Sequence, residues 1–165
     1  MTRRQWMNLL SGFGLGLGAS ASRAATAGPQ ATARSDRVEL ADAEWKRRLS
    51  PAAYDVLRHE GTERPFTSPL NAEKRAGNYL CAGCELPLFS SAGKFDSGTG
   101  WPSFFTTLPG SVETHTDYKL ILPRTEYHCA RCGGHQGHVF DDGPRPTGKR
   151  YCNNGVALRF AAEAA

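Results

Sequence analysis

The pattern of apolar and polar positions divides the chain into a short helical part and a longer part rich in turns. A helix is predicted over residues 50–58, because Ser50 is a good N-cap and Pro51 suits the first helical position. A preceding helix of two turns is predicted over residues 42–49, with Asp42 as its cap. The helical part therefore ends near residue 60.

From Asn78 onward the apolar residues occur in short β-type runs that Gly, Pro and Asp interrupt. No alternation of strands with long helical segments appears, so a doubly wound parallel sheet is not expected. The fold class predicted is mainly β, with antiparallel strands and short N-terminal helices. Strands are predicted at Tyr79–Leu80, Leu86–Phe89, Val112–His115, Tyr118–Leu122, Thr125–Cys129, His138–Phe140, Lys149–Cys152 and Ala157–Phe160.

The first 27 residues carry the features of an export signal in the right order. Arg3 and Arg4 form a twin-arginine pattern, a weakly apolar stretch follows from Leu9 to Ala21, and Ala25-Thr26-Ala27 is a candidate cleavage site. The alternative is a disordered tail with a chance pair of arginines. We expect a twin-arginine signal peptide and an exported, periplasmic protein.

Length and charge support one domain behind this signal. The chain has 165 residues, enough to bury a core without oligomerising, so a monomer is expected. The net charge is +4, but the first 27 residues hold three of the basic residues and no acidic one, so the remainder carries only +1. This excludes a nucleic-acid footprint, and no apolar run is long enough to span a membrane. The domains expected are the signal peptide (1–27), a linker (28–37), the folded domain (38–160) and a tail (161–165).

Four of the five cysteines form two C-x-x-C pairs, Cys81/Cys84 and Cys129/Cys132. Two such pairs on predicted hairpins are typical of a closed tetrahedral Zn²⁺ site with four thiolate ligands. Two disulfides are the alternative in an exported protein, although a bridge within one C-x-x-C turn is strained. One structural zinc ion is therefore the cofactor predicted.

The fifth cysteine, Cys152, lies in surroundings that favour a nucleophile over a merely buried residue. In an extended segment Arg150, Cys152 and Asn154 point to the same face, and a guanidinium beside a thiol favours the thiolate. His135 and His138 lie upstream on a Gly-flanked segment, with Phe140 beyond them.

The segment between these two groups, Asp141–Gly148, can return the chain so that the histidines lie beside Cys152. That would bring a nucleophile, acid–base candidates and an apolar wall together. Metal ligation by His135 and His138 is the alternative. His59, His115 and His128 are read as ordinary surface or core residues.

Phe95–Phe105 is too rich in Gly and aromatic residues for an ordinary hairpin. Trp101 within it is either a core residue on a turn or the wall of a pocket for a small apolar group, such as a methyl group on sulfur.

From about Leu49 to Phe160 the sequence resembles the B-type methionine-R-sulfoxide reductases. The resemblance rests on the two cysteine pairs, on the ordered segments around Trp101, His135–Phe140 and Gly148–Cys152, and on Asn154–Phe160, although the family often has Ser where Gly155 stands. It implies two small antiparallel sheets packed together, stapled by a zinc site away from catalysis.

The resemblance also implies the chemistry. Cys152 would attack the sulfur of methionine (R)-sulfoxide in an oxidised protein or peptide, release methionine and become a sulfenic acid. His135, His138 and Asn154 would orient the substrate and assist proton transfer, and Arg150 would stabilise the thiolate. Trp101 and Phe140 would hold the substrate methyl group. The implied role is repair of oxidatively damaged proteins.

Thr99 departs from the family pattern, because many members carry a resolving cysteine there. The chain therefore resembles a one-cysteine variant that depends on an external thiol, either a thioredoxin-like protein or a small thiol. Two other function classes stay open at this point. A non-enzymatic zinc-ribbon module would need neither Cys152 nor Trp101, and a Cys/His hydrolase would form an acyl-enzyme instead of a sulfenic acid.

Overall fold

The structure is a computed structural model that describes residues 34–119 and 122–164. The expected signal peptide and the first part of the linker lie outside the described residues. None of the helices within the described ranges has the length and apolar character needed to cross a bilayer.

Two helices open the described domain, α1 (Asp42–Arg48) and α2 (Pro51–His59). The Ser50 cap is confirmed, because its side chain accepts a hydrogen bond from the Ala53 amide at 3.2 Å. The predicted Asp42 cap is wrong: Ala41 occupies the cap position and Asp42 is the first helical residue. Its carboxylate instead pairs with Lys46 one turn later at 2.8 Å, which suits an acid in the first turn of a helix.

Nine antiparallel strands in the described ranges form two sheets, and this confirms the predicted fold class. The smaller sheet has the strand order β2-β1-β9 and the larger has the order β3-β4-β8-β7-β6-β5. The strands are β1 (Gly77–Cys81), β2 (Pro87–Ser90), β3 (Lys94–Phe95), β4 (Ser103–Phe104), β5 (Val112–Asp117), β6 (Arg124–Cys129), β7 (His135–Phe140), β8 (Arg150–Asn153) and β9 (Leu158–Ala162).

Aromatic side chains from both sheets make the core between them. Phe89 of β2 stacks on Phe104 of β4 with ring centroids 4.2 Å apart, and Tyr79 of β1 meets the same Phe104 edge-on at 4.8 Å. All three rings are fully buried, as is Tyr127 of β6. Each such pair adds about 0.5–1.5 kcal/mol beyond the area that it buries, so these contacts hold the sheets together.

The predicted strand over Tyr118–Leu122 does not form where the structure describes it. Tyr118 and Leu122 lie outside any strand and are largely exposed. The side chain of Asp117 accepts a hydrogen bond from the Lys119 amide at 2.8 Å, and this local turn ends β5.

At the C-terminal end of the chain, the expected bounds shift slightly. Ala157 belongs to a 3₁₀ turn over Gly155–Ala157 and not to a strand. Strand β9 then continues to Ala162, two residues into the segment expected to be a tail.

Candidate active site

Cys152 lies in the middle of the larger sheet, between β4 and β7. It pairs with Ser103 on one side and directly faces His138 on the other. The approach of β7 to β8 is so close that a Cβ atom on Gly137 would lie 1.9 Å from the Cys152 carbonyl oxygen, so only glycine fits there. The expected return of the chain after Phe140, which brings the histidine segment beside Cys152, is confirmed.

A cavity of about 140 Å³ opens in front of the Cys152 thiol. Trp101 and Phe140 form apolar parts of its wall, and His138 contributes a polar edge. The indole of Trp101 is held in place because its Nε1–H donates a hydrogen bond to the Glu63 carbonyl oxygen at 3.1 Å. The structure thus brings the predicted nucleophile, one predicted histidine and both predicted apolar residues to one pocket.

Burial dominates the electrostatics of the Cys152 thiol and raises its pKa above the ordinary value for cysteine. Arg150 and the Thr99 hydroxyl act in the opposite direction and favour the thiolate. The influence of Arg150 therefore has the expected sign, but it is smaller than the effect of desolvation. A raised pKa favours the protonated thiol over the thiolate.

Arg150 is shared between two further neighbours. Its guanidinium forms a two-point ion pair with Asp142 at 2.8 and 2.9 Å. It also lies over the Phe140 ring, 4.3 Å from the centroid. Arg150 consequently braces the aromatic wall of the pocket as well as acting on the thiol.

His138 is oriented by a carboxylate that sequence reasoning did not single out. Its Nε2 lies 2.8 Å from Asp117 Oδ2, and Arg124 contacts the same oxygen at 2.7 Å. The pKa of Asp117 is held well below its usual range by hydrogen bonds, first from the Lys119 amide and then from His138 and Arg124. Because an ionised carboxylate only accepts hydrogen bonds, Nε2 of His138 carries a proton.

His135 lies behind His138 and not at the pocket surface. It is almost completely buried, its ring centroid is 5.6 Å from that of His138, and burial lowers its pKa. Its Nδ1 lies 2.5 Å from an oxygen of the buried Glu126. The structure thus separates the two predicted histidines into one that lines the cavity and one that packs behind it.

Asn154 borders the cavity, but both polar atoms of its side chain are engaged by the backbone. Its Nδ2 donates to the Gln136 carbonyl at 3.0 Å, and its Oδ1 accepts from the Glu63 amide at 3.0 Å. These bonds connect Asn154, the residue after β8, to β7 and to Glu63, whose carbonyl accepts the hydrogen bond from Trp101. The observed contacts of Asn154 position the wall of the pocket.

Three residues that matter to the site gave no usable signal in the sequence. Asp117, Arg124 and Glu126 come from β5 and β6, and only the pairing of these strands with β7 reveals what they contact.

The four remaining cysteines converge at one place, as predicted. Their sulfur atoms all lie within 4.8 Å of one another, with Cys81 and Cys132 at 3.7 Å and Cys84 and Cys129 at 3.4 Å. All four are free thiols, so the disulfide alternative is not what the structure contains. Tetrahedral ligands about 2.3 Å from a zinc ion would be spaced roughly 3.8 Å apart, and the observed donor set fits this.

The two cysteine turns also share one backbone geometry. The amide four residues after the first cysteine of each pair donates to that cysteine's carbonyl, from Glu85 at 2.8 Å and from Gly133 at 2.9 Å. Both donors have left-handed backbones, with φ near 61° and 65°. None of the four cysteines lines the cavity at Cys152, so the residues fit a closed, structural site.

Comparisons with known proteins identify relatives along most of the chain. The SelR domain matches residues 49–162. The chain is 52% identical over 127 residues to the peptide methionine sulfoxide reductase MsrB of Agrobacterium fabrum, covering 76% of this chain and 94% of that protein. It is 56% identical over 118 residues to the MsrB of Pseudomonas putida, covering 71% and 89%. It is 47% identical over 147 residues to the chloroplastic peptide methionine sulfoxide reductase B1 of Arabidopsis thaliana, covering 88% and 73%.

Proposed function

Because the chain belongs to the SelR-domain family of MsrB peptide methionine sulfoxide reductases, we propose that Cys152 is the thiol that takes the oxygen from the substrate. The chain is a peptide-methionine (R)-S-oxide reductase. The observation that carries the proposal is the position of the Cys152 thiol, at the cavity that Trp101 and Phe140 line and opposite His138.

The two aromatic residues would hold the methyl group on the substrate sulfur. A small apolar group gains from burial against flat rings, and Trp101 is already immobilised by its bond to the Glu63 carbonyl. Placing the methyl group against them would turn the sulfur toward Cys152 and the oxygen toward the polar side of the cavity. This supports selection of one epimer at sulfur.

The first step is a balanced transfer of one oxygen atom. Cys152 Sγ attacks the sulfoxide sulfur while the sulfoxide oxygen is protonated. The oxygen then passes to Sγ as the bonds from the methionine sulfur to that oxygen and to Sγ break, and methionine leaves. Methionine sulfur is reduced by two electrons, and Cys152 is oxidised to a sulfenic acid. The thiol proton reaches the transferred oxygen, so no proton is gained or lost overall.

His138 is the candidate for moving that proton. Its Nε2–H is committed to Asp117, so Nδ1 is the atom able to take the thiol proton and pass it on. The raised pKa of Cys152 supports this role, because it favours a thiol that still carries its proton. His135 and Asn154 would hold the segments that orient His138 and the substrate.

The second step needs a thiol from outside the chain. Thr99 lies next to Cys152, where family members with a resolving cysteine would form a disulfide, and the other four cysteines are gathered at the metal site. An external thiol would attack the sulfenic sulfur, form a mixed disulfide and release water. A second thiol would then restore Cys152.

Zinc would be held by Cys81, Cys84, Cys129 and Cys132. When bound, the ion supplies a structural cross-link and, with four protein ligands, no open position for chemistry. It would tie the turn between β1 and β2 to the turn between β6 and β7.

A burst experiment without reductant tests the assignment of Cys152. Wild-type protein mixed with excess methionine (R)-sulfoxide should release about one methionine per chain and then stop, because no resolving thiol is present. The Cys152→Ser variant should release none, since a hydroxyl is a far weaker nucleophile, while its circular dichroism stays unchanged. Methionine release by the serine variant at a rate near that of the wild type would refute the assignment.

We further propose that the enzyme acts outside the cytoplasm, on oxidised proteins there. The support is the order of features in residues 1–27, with twin arginines, an apolar stretch and small residues at the end. Fractionation of a bacterial host should find the wild-type chain in the periplasm and the Arg3→Lys, Arg4→Lys double variant in the cytoplasm. Equal cytoplasmic retention of both chains would contradict export.

A further inference from the structure

A second cluster of metal-ligating side chains lies on β5 and β6, outside the cavity at Cys152 and outside the cysteine cluster. Each strand carries a Glu-x-His sequence, Glu113-Thr-His115 on β5 and Glu126-Tyr-His128 on β6. The strands pair so that His115 faces Glu126 and Glu113 faces His128. Because side chains alternate along a strand, all four groups lie on the same face of the sheet, with the histidines on one diagonal.

The two imidazoles are spaced as ligands of one metal ion would be. His115 Nδ1 and His128 Nε2 are 3.2 Å apart. Two nitrogens bound at about 2.0–2.1 Å to a tetrahedral or octahedral ion are separated by roughly 2.9–3.4 Å. We infer that His115 and His128 bind a divalent transition metal ion, such as Zn²⁺, between these two nitrogens.

Glu126 orients the first of these ligands. Its side chain is 3% exposed, and one oxygen lies 3.0 Å from His115 Nε2. A metal-bound histidine commonly donates its other ring N–H to a carboxylate in this way, which sets the tautomer and leaves the opposite nitrogen free for the metal. The Nε2–H of His115 donates to Glu126, so Nδ1 of His115 faces His128 as an acceptor.

The site is open to an ion from solution. The side chain of His115 is 47% exposed and that of His128 is 19% exposed. Glu113, opposite His128, is also exposed. Within residues 34–119 and 122–164, the one ion-pair contact of its carboxylate is with Arg37 at 3.8 Å, so it is available as an additional oxygen ligand. Imidazole and carboxylate donors suit Zn²⁺, Ni²⁺ or Cu²⁺ better than Ca²⁺ or Mg²⁺.

The cluster contacts the catalytic region through one shared carboxylate. The second oxygen of Glu126 lies 2.5 Å from Nδ1 of His135. The ion would therefore sit at the outer end of a chain of contacts that runs through His115 and Glu126 to His135.

Calorimetric titration with Zn²⁺ tests the inference. The protein is the full chain without a polyhistidine tag, preloaded with one Zn²⁺ and carrying Cys152→Ser so that the catalytic thiol cannot bind the ion. One further Zn²⁺ per chain should bind. His115→Gln and His128→Gln should each weaken this binding at least tenfold, and Glu126→Gln about tenfold through loss of the orienting charge.

His59→Gln is the matched control, because it removes an exposed histidine on α2 and should leave the second binding event unchanged. Retention of the first zinc and of the circular dichroism spectrum shows that each variant is folded; His115 is sufficiently exposed for its substitution to be tolerated. Absence of a second equivalent in the folded parent, or a second equivalent that neither histidine variant weakens, would overturn the inference. The 3.2 Å contact would then be a hydrogen bond between two histidines and nothing more.

Discussion

At the scale of single residues, the reactivity of Cys152 is a balance of opposing effects. Burial in the cavity disfavours the thiolate, while Arg150 and Thr99 favour it, and burial has the larger effect. The sequence predicted the Arg150 contribution from the two-residue spacing, but it could not predict the burial. Desolvation depends on how the fold builds the wall of the cavity, and Trp101 in that wall comes from a distant part of the chain.

The pH dependence of Cys152 alkylation measures this balance. Iodoacetamide reacts with the thiolate, so the alkylation rate of zinc-loaded protein should rise with pH. The rate should reach half its maximum at a higher pH than for an ordinary cysteine, because the pKa of Cys152 is raised. Arg150→Gln should slow the reaction roughly tenfold at pH 8, because loss of the guanidinium charge raises the pKa of the thiol further. Arg150→Lys keeps the positive charge, and its alkylation rate should lie between those of the wild type and the glutamine variant. An unchanged rate in the glutamine variant would show that Arg150 does not act on the thiol.

Trp101 provides a second test at this scale. Trp101→Ala should raise KM and lower kcat/KM. The fall in kcat/KM should correspond to a loss of about 1–3 kcal/mol in transition-state binding, the usual scale for a small apolar contact in a pocket. Trp101→Phe keeps a flat wall and should lose less, although it gives up the bond to the Glu63 carbonyl. Steady-state kinetics on a short peptide that contains methionine (R)-sulfoxide give the comparison. Unchanged KM and kcat/KM in the alanine variant would show that Trp101 does not contact the substrate.

At the scale of elements, the site depends on three adjacent strands. Strand β8 carries Cys152, β7 supplies His138 opposite it, and β4 covers the other side with Ser103. The longer strands and α2 were predictable, because the Ser50 cap and the short β-type runs bounded by Gly, Pro and Asp are clear local patterns. Strands β3 and β4 were not, since two residues each leave no periodicity to detect.

The loop that holds Thr99, between β3 and β4, allows a test of the second step. Thr99→Cys should form a disulfide with Cys152 after one turnover, because the Thr99 hydroxyl is already close enough to influence the thiol. Non-reducing peptide mapping would detect the bridge. Thr99→Ser, which cannot form it, is the control. Failure of the cysteine variant to cross-link would mean that the loop holds this side chain away from Cys152.

At the scale of the whole molecule, the four clustered cysteines come from both sheets. Cys81 and Cys84 belong to the smaller sheet and its turn, and Cys129 and Cys132 to the larger. This arrangement was predictable, because the repeated C-x-x-C spacing is a strong local signal. The contacts of Asp117 and Glu126 with the histidines were not, since they depend on strand register.

Loss of one zinc ligand should therefore weaken the entire fold. In Cys84→Ser we expect zinc content near zero and loss of the cooperative thermal transition, since on the order of 10 kcal/mol of metal binding is coupled to folding. Cys152→Ser removes a cysteine outside the cluster and should keep both zinc and the transition. Elemental analysis measures the zinc content of each variant, and thermal unfolding measures its transition. A stable, active Cys84→Ser protein without zinc would refute a structural role for the metal.

The central claim is that four cysteines hold a metal and the fifth performs the chemistry. Intact-mass spectrometry under non-denaturing conditions tests it most directly, on zinc-loaded protein treated with methionine (R)-sulfoxide and no reductant. We predict a mass increase of one oxygen atom, with zinc retained and the oxygen mapped to Cys152. Loss of two hydrogens with release of zinc, from a disulfide between Cys152 and Cys81, Cys84, Cys129 or Cys132, would contradict it.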